Sequence, residues 1–373
     1  MFSATCDQGE LHQKVQLVAR GVTQRSTHPA QSNIFMQVRE TDVGYRLYLA
    51  ATDLEYIAVN THLDIEDGAE GAVTVPASIL VETIGKLAAD TVTLKANEDD
   101  KIEIRGGRFK STVQGLPADD FEQLGDLSDA VEFEMSYGDM AGIIKRTLFA
   151  TSTDETRPIL TGALFKIEKD VLTVVATDTY RLAVCTHTFP VHVVDELEAI
   201  VARRLLSEAM RILKTEDDTL KVRISDTQVE FTIGDVVLGS RLINGQFVNY
   251  PRVIPTSHDN KASLDVAQLI ETLKRANAVA RHDANRVTFE FSDTWLNVSA
   301  ESRDMGSCNE KLVIQYEGKP LEIAFNNVFV QDMLSVCGDT SVTIELGEAL
   351  GAGVFKPVDD DSYLYVAMPM QVY

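Results

Sequence analysis

The stretch Val171-Leu172-Thr173-Val174-Val175-Ala176-Thr177-Asp178 decides the fold, because the chain contains it more than once. Tyr45-Arg46-Leu47-Tyr48-Leu49 also leads into an Ala-Thr-Asp tripeptide, Ala51-Thr52-Asp53, and Ala176 follows Ala51 by 125 residues. A third, degenerate copy, Ala300-Glu301-Ser302, comes 124 residues after Ala176 and follows the strand-like Trp295–Ser299. A self-similar segment of fixed period predicts tandem copies of one structural unit.

Each copy also predicts two amphipathic helices, with apolar residues three or four positions apart. The first helices are Leu11–Gln24, Tyr137–Thr151 and Asp265–Arg281, and the second are Ala77–Ala89, Ala202–Lys214 and Asn327–Cys337. Strands of alternating polarity follow every second helix, at residues 91–94, 220–224 and 341–346. We therefore predict an α+β chain of three domains, at residues 1–125, 126–252 and 253–373, whose antiparallel sheets bury one face and lie outside the helices.

Composition sets limits on where the protein works. The 373 residues carry a net charge of −23 and contain no apolar run of the ~18 residues that a membrane helix needs. The start of the chain lacks a basic, then apolar, secretory signal. The four cysteines, Cys6, Cys185, Cys308 and Cys337, are far apart and form no CxxC pair. We expect a cytoplasmic protein without a metal site, cofactor or membrane contact.

The charge is distributed unevenly between helices and the rest of the chain. The six predicted helices sum to +6, which leaves −29 for strands and loops. Solvated helix faces often carry Lys and Arg, but a systematic split favours one surface that meets phosphates, without reading sequence. The cations predicted to do so on the helices are Lys14, Arg20, Lys145, Arg146, Arg203, Arg204, Arg211 and Lys214. They form no dense cluster, so the contact is expected to be weak and diffuse.

Helix width predicts how many copies a ring around DNA requires. With two helices of about 10 Å per copy along the inside, three copies leave a bore of about 9 Å and six leave about 28 Å. Duplex DNA is roughly 20 Å wide. Two chains would therefore close such a ring, head to tail, and their edge strands could pair across each joint.

Several motifs together resemble the bacterial sliding clamp family, the β subunits of DNA polymerase III, over the whole chain. They are Thr153–Gly162 (TDETRPILTG), Ala176–Ala183 (ATDTYRLA), Gly115–Phe121 (GLPADDF), Arg25-Ser26-Thr27 and Met368-Pro369-Met370. The resemblance implies a non-catalytic ring that encircles duplex DNA and tethers the replicative polymerase. It also implies an ATP-driven clamp loader and other partners that insert a short peptide with a hydrophobic end into a groove.

The resemblance places this groove between the second and third domains. Carried over by position, its residues are Leu160, Thr177, Arg181, Leu182, Val248, Arg252, Val253, Val366, Met368, Pro369 and Met370. Leu, Val and Met make an adaptable apolar slot, and Arg181 is expected to orient a polar group at its rim. Three features depart from the family pattern: Thr179 stands where Gly is usual, Val248 where Pro is frequent, and Gln371–Tyr373 replace an Arg-Leu ending.

The resemblance also implies contacts with DNA and between subunits. Arg25 and Arg157 map to family DNA contacts, although Asp154 stands at the family's glutamine position. The dimer contact maps to Phe109 against Ala278 and Val279, and the small Ala278 indicates that Arg105 and Arg108 add charge pairs.

Two rival classes stay open from the residues alone. A multidomain hydrolase or transferase would need a paired acid and base, a nucleophile elbow or a metal cluster, none of which the sequence offers. The second class is an interaction scaffold built from repeats that does not bind nucleic acid, and the concentration of positive charge on the helices argues against it. Asp359-Asp360-Asp361 is interpreted as a solvated loop between strands rather than a metal site, Gly347–Gly353 as a hairpin or loop rather than a phosphate cradle, and Trp295 as a core residue.

Overall fold

The computed structural model describes residues 2–23, 28–42, 44–65, 67–97, 99–125, 127–212, 218–338 and 341–371, and no side chain is described at residue 195. The chain forms two compact units. Unit 1 comprises Met1–Gly138 and Arg204–Leu242, and unit 2 comprises Asp139–Arg203 and Ile243–Tyr373. All strand pairs are antiparallel within the described residues.

Unit 1 contains two sheets and most of three helices. Its strands are β1 (Ser3–Asp7), β2 (Asn33–Thr41), β3 (Gly44–Thr52), β4 (Ala58–Ile65), β5 (Asp67–Ala69), β6 (Gly71–Pro76), β7 (Thr91–Ala96), β8 (Lys101–Gly106), β9 (Phe109–Gln114), β10 (Val131–Ser136), β15 (Thr219–Ile224), β16 (Gln228–Ile233) and β17 (Val236–Arg241). Its helices are α1 (Gln8–Val18), α2 (Ala77–Gly85) and α4 (Arg203–Ile212), the last beginning one residue before the unit does. One sheet has the order β5-β1-β7-β8-β9 and the other β10-β15-β16-β17-β4-β3-β2-β6.

Unit 2 has the same kind of construction. Its strands are β11 (Gly162–Lys169), β12 (Val171–Thr177), β13 (Arg181–Thr188), β14 (Val194–Ala202), β18 (Asn260–Asp265), β19 (Arg286–Ser292), β20 (Trp295–Ser302), β21 (Gly306–Val313), β22 (Gln315–Glu317), β23 (Leu321–Asn326), β24 (Ser341–Leu346), β25 (Gly353–Pro357) and β26 (Tyr363–Ala367). Its helices are α3 (Tyr137–Thr147), which begins two residues before the unit does, α5 (Val266–Ala280) and α6 (Asn327–Leu334). The sheets have the orders β14-β11-β12-β13-β26-β25-β24-β18-β22 and β21-β20-β19-β23.

The element order confirms three copies of one α+β unit. Each copy runs strand, helix, several strands, helix, three strands, beginning at β1, β10 and β18. A strand precedes every first helix, which the sequence patterns did not reveal. The middle copy divides its strands: β10 and β15–β17 belong to a sheet of unit 1, and β11–β14 to a sheet of unit 2.

In the first copy, the first helix begins earlier in the chain than the predicted Leu11. Asp7 caps α1, since its carboxylate accepts from the Glu10 backbone N–H at 2.8 Å, and α1 therefore begins at Gln8. The α-helix ends at Val18, and a 3₁₀ turn, Ala19–Gly21, follows it. The predicted end, Gln24, lies outside the described residues. Other 3₁₀ turns are Pro29–Ser32, Ala118–Asp120, Leu148–Ala150, Pro158–Leu160 and Tyr250–Arg252.

Trp295 is not a core residue, which corrects the prediction. It is half-buried on the face of β20 opposite Leu296 and Val298, and the Lys311 ammonium lies 4.2 Å from its ring centroid. The hairpin or loop predicted for Gly347–Gly353 is confirmed: residues 347–352 connect β24, which ends at Leu346, to β25, which begins at Gly353 and pairs with β24 from Val354.

Candidate functional site

The tripeptide Ala176-Thr177-Asp178 builds a tight turn between β12 and β13. The Thr177 hydroxyl donates to the Arg181 carbonyl at 2.6 Å and accepts from the Thr179 N–H at 3.1 Å. The Asp178 carboxylate accepts from the backbone N–H groups of Tyr180 and Arg181 at 2.9 and 3.0 Å. Two short polar side chains thus satisfy the backbone of the turn, which gives the repeated motif its physical meaning.

The first copy uses the same device between β3 and β4. The Thr52 hydroxyl donates to the Ile57 carbonyl at 2.9 Å and accepts from the Leu54 N–H at 2.9 Å. Asp53 accepts from the N–H groups of Glu55, Tyr56 and Ile57, so this turn is one residue longer. The third copy, with Glu301 and Ser302, lies inside β20, which continues to Ser302.

An apolar cluster lies beneath the second turn. It is buried and consists of Leu164, Val175, Leu182, Ile200, Phe247, Val354 and Val366. Partly buried apolar residues pack against it, namely Ile159, Val184, Ile243, Val248, Tyr250, Ile254, Ala352 and Leu364. Of the predicted groove residues, Leu182, Val248 and Val366 therefore belong to one cluster.

The strand register brings further groove residues to the edge of this cluster. β26 lies between β13 and β25, and its Ala367 pairs with Arg181 on one side and with Gly353 on the other. Tyr180, Met368 and Ala352, which adjoin these three residues in sequence, therefore come together where the three strands begin or end. The Met368 N–H donates to the Tyr180 carbonyl at 2.9 Å. Met368 is 39% exposed and Val253 is 47% exposed, although both are apolar. Val253 precedes Ile254, which packs against the cluster, and Met368 follows β26, which contributes Val366 to it. We call the two exposed side chains the apolar rim, and exposed apolar side chains next to a buried apolar cluster can receive a hydrophobic side chain.

The remaining groove residues have different surroundings. Leu160 and Thr177 are buried, and Arg252 is exposed at the end of a 3₁₀ turn. Pro369 and Met370 are half-buried, and the Met370 N–H donates to the Ala324 carbonyl at 2.7 Å. Sequence reasoning missed Ile159, Tyr250, Ile254 and Leu364, although the apolar spacing of the segment from Phe247 to Ile254 could have indicated some of them.

The expected role of Arg181 needs correction, because its donors point into the protein. Nε contacts Asp178 at 3.0 Å, Nη1 contacts Asp332 at 2.6 Å, and Nη2 donates to the Phe149 carbonyl at 2.7 Å. Its guanidinium carbon also lies 4.3 Å from the centroid of the Phe329 ring, and its side chain is 11% exposed. Arg181 therefore holds the turn, β13 and α6 together rather than standing free at a rim.

Arg181 also lines a polar cleft of about 500 Å³ beside the turn. Three arginines and three aspartates face this cleft: Arg157, Arg181, Arg203, Asp154, Asp178 and Asp332. The charges balance, so the cleft as a whole favours neither anions nor cations.

The predicted DNA contacts of unit 1 are paired with carboxylates. Lys14 pairs with Asp235, and Arg204 pairs with Asp53. Glu208 contacts both Arg20, at 3.1 Å, and Arg211, at 2.8 Å. A phosphate must compete with these internal partners, which lowers the gain from each contact. Arg25 and Lys214 lie outside the described residues.

Unit 2 contains the two described candidates that have no carboxylate within 4 Å among the described residues, exposed Lys145 and half-buried Arg203. Arg157 lies 3.6 Å from Asp154, while Arg146 contacts Asp360 at 2.9 Å. Desolvation opposes the charge of Asp360, but its hydrogen bonds to Ser362 and the Arg146 charge outweigh desolvation and lower its pKa. The Asp359–Asp361 segment thus serves an ion pair, and the described residues contain no group of three potential metal ligands.

The predicted dimer residues lie at sheet edges or on a helix surface. Phe109 begins β9, the last strand of its sheet, and is 46% exposed. Arg108 is exposed, and Arg105 pairs with Glu103. On α5, Ala278 is exposed and Val279 is half-buried.

Comparison with known proteins assigns the chain to a family. Models of the DNA polymerase III β subunit match its N-terminal domain at residues 2–125, its central domain at 134–249 and its C-terminal domain at 251–371. The β sliding clamp of Pseudomonas aeruginosa is 30% identical over 369 residues, 99% of each chain, and that of Escherichia coli K12 is 29% identical over 372 residues, again 99% of each.

Solved structures agree with this assignment. A P. aeruginosa sliding clamp crystallised with a ligand superposes with a TM-score of 0.94 at 28% identity, covering all of both chains. A Bacillus subtilis clamp has the same fold, with a TM-score of 0.94 at 24% identity and full coverage of both. The chain belongs to the DNA polymerase III β subunits, the sliding clamps, which are processivity subunits and not enzymes. Its partners are DNA and DNA polymerase III. In the described residues no helix is long and apolar enough to cross a membrane.

Proposed function

We propose that two copies of this chain close head to tail into a ring around duplex DNA and hold the replicative polymerase there. The observation that supports this most concerns two edge strands, β9 in unit 1 and β21 in unit 2, each of which pairs with only one strand among the described residues. They carry exposed apolar residues, Phe109 on β9 and Val313 on β21. Pairing β9 of one chain with β21 of the next would cover both edges and their apolar side chains.

The domains of this ring are residues 1–125, 126–252 and 253–373 in each chain. Phe109 and the exposed arginines Arg105 and Arg108 meet the partner's α5, where Ala278 and Val279 leave room for the aromatic ring. Six copies of the repeat are needed because three leave a bore of about 9 Å, too small for duplex DNA. The protein works in the cytoplasm, with the replication machinery.

DNA contact in this ring is weak and independent of sequence. Among the described candidates for DNA contact, Lys145 and Arg203 are best able to meet phosphates, since the other candidates are engaged with carboxylates. Arg25 and Lys214 are proposed contacts on the resemblance alone. Weak phosphate contact allows the ring to slide, while the closed ring itself prevents loss of the DNA.

A retention assay tests the ring. The chain is loaded on nicked circular duplex and on the same DNA made linear, and bound protein is followed through a sizing column. We expect retention on the circle and loss from the linear form, and a dimer by sedimentation at micromolar concentration. Equal retention on both forms, together with a monomer, would refute the ring.

We further propose that the apolar rim around Val253 and Met368 receives the hydrophobic end of a partner peptide. The replicative polymerase, an ATP-driven clamp loader and other proteins with such a peptide share it. The supporting observation is that both apolar side chains are exposed, while the segments that carry them place Ile254 against the buried cluster around Leu182 and contribute Val366 to it.

Replacing Val253 and Met368 together by Ser tests this groove, because both side chains are exposed and their truncation spares the core. We expect polymerase binding, measured by surface plasmon resonance, to fall at least tenfold while the dimer is retained. Met305→Ser is the control, since Met305 is equally apolar and 56% exposed on another strand connection. Unchanged binding in the double variant would exclude the groove.

A further inference from the structure

Thr179 occupies a backbone conformation that its side chain disfavours. Its φ is +81°, in the left-handed region, and it is β-branched. The other non-glycine residues with positive φ among the described residues are Leu54, Asp100, Asp129, Lys169, Ala284, Asn285 and Asp359, none of them β-branched. Several are Asp or Asn, which tolerate this region best.

The fold of the turn does not require this side chain. The hydrogen bonds of the turn are made by the Thr177 hydroxyl, the Asp178 carboxylate and backbone groups, and Thr179 contributes only its N–H. Glycine at this position would keep every one of these bonds and remove the strain. The Thr179 side chain is exposed, and among the described residues its hydroxyl has no hydrogen-bond partner. A strained residue that does nothing for its own turn points to a function outside the chain.

The position of Thr179 indicates what this function is. Thr179 precedes Tyr180, whose carbonyl accepts from the Met368 N–H at 2.9 Å, and Met368 is part of the apolar rim. Tyr180 itself is exposed. The exposed hydroxyl therefore lies in the turn that leads into β13, one residue from the contact between Tyr180 and Met368, where it can bond the backbone or a polar side chain of a bound peptide.

We infer that Thr179 is a specificity-determining residue of the partner groove, whose hydroxyl forms a hydrogen bond with the bound peptide next to its hydrophobic end. The inference rests on the proposed groove and adds a polar contact to it. The rigid, branched side chain holds the hydroxyl in one direction, so it selects peptides with a polar group or an accessible carbonyl at that place.

Three substitutions separate the hydroxyl from the strain. Thr179→Val keeps the branching and strain but loses the hydroxyl, Thr179→Ser keeps the hydroxyl, and Thr179→Gly loses both. We expect the Val and Gly variants to bind the replicative polymerase of the same organism about three- to tenfold more weakly, the net effect of one hydrogen bond. The Ser variant should bind within about twofold of the parent. Thr179→Gly should also raise the Tm by about 2–4 °C, because it relieves the strain.

Leu54→Gly is the matched control. Leu54 lies in the equivalent turn of unit 1 at φ +68°, so its replacement relieves comparable strain away from the groove. It should raise the Tm and leave polymerase binding unchanged. If Thr179→Val and Thr179→Gly bind like the parent while the Val253 and Met368 double variant fails to bind, the role of Thr179 is refuted and the groove stands. If the double variant also binds normally, both proposals fall.

Discussion

Removing the Arg181 guanidinium should destabilise unit 2 severely, because three groups in the protein accept hydrogen bonds from it. Arg181→Met keeps most of the aliphatic volume but removes the guanidinium that donates to Asp178 Oδ2, to Asp332 and to the Phe149 carbonyl. Breaking a buried ion pair costs about 3–5 kcal/mol, but Asp332 is 34% exposed and regains water, so we place the loss at about 3 kcal/mol.

The measurement uses the single tryptophan of the chain. Trp295 belongs to unit 2, as Arg181 does, so urea unfolding followed by Trp295 fluorescence reports on the unit that the substitution affects. Arg157→Met is the control, an exposed arginine of the same unit whose Asp154 partner lies at 3.6 Å, and it should cost less than about 1 kcal/mol. A double-mutant cycle with Asp332→Asn should show coupling of at least about 1 kcal/mol between the two partners. An Arg181→Met loss no larger than the control, or no coupling, would refute the role assigned to this arginine.

Other predictions concern acid stability, the dimer and backbone packing. Desolvation would raise the pKa of Asp235, but hydrogen bonds from Lys14 and Thr61 outweigh it and hold this pKa below its usual 3.8. The pair therefore stabilises unit 1 fully above about pH 3.8 and loses its effect as pH falls through the lowered pKa. Asp235→Asn should lower the free energy of unfolding, measured by urea titration, by about 1 kcal/mol at pH 7, and should make that free energy fall less steeply with acidification. An unchanged dependence on acidic pH would contradict this. Phe109→Ala should weaken the dimer at least tenfold by sedimentation, whereas Tyr56→Ala, which removes an aromatic of similar exposure, should not; equal effects would exclude Phe109 from the interface. Gly115→Ala should lower the free energy of unfolding by roughly 2–3 kcal/mol, because the new Cβ would lie 2.3 Å from the Thr74 carbonyl oxygen. Gly142→Ala in α3 has open space around it and should instead stabilise the protein by about 0.5–1 kcal/mol. A neutral Gly115→Ala would contradict the tight approach of Gly115 to Thr74.

Local sequence patterns predicted the repeat, its strands and its helices, because alternation and 3.6-residue periodicity record which face each element buries. The helix ends were less accurate, as α1 shows, because a 3₁₀ turn continues the apolar pattern of a helix. The division of the middle copy between two sheets could not be predicted. It depends on pairings such as β17 with β4 and β13 with β26, and no local pattern encodes a partner that lies so far away in sequence.

Ion pairs were beyond prediction for the same reason. Lys14 meets Asp235 from 221 positions away, and Arg181 meets Asp332 from 151. A count of charges on helices could show that cations collect there, but not that carboxylates of the same unit already hold them. The net charge of +6 on the predicted helices therefore overestimates the positive charge that is available to bind a phosphate.

The two equivalent turns have different surroundings, and this difference bears on the partner groove proposed above. Both turns use Thr and Asp in the same way, and both precede a strand that pairs with a strand of the next copy. In unit 1 the connecting segment after the first copy packs inward, with Phe121 buried and stacked on Phe35 at 5.1 Å. In unit 2 the corresponding segment also packs inward, with Phe247 buried, but it leaves Val253 exposed, and Met368 is exposed in the C-terminal segment. The repeated elements thus provide the same scaffold twice. In the function proposed above, the parts that are not repeated, the connection around Val253 and the residues from Met368 onward, form the groove on one of the two scaffolds. Specificity for partners should accordingly change with these segments and with Thr179, while substitutions in the shared Thr-Asp turn should affect stability in both units alike.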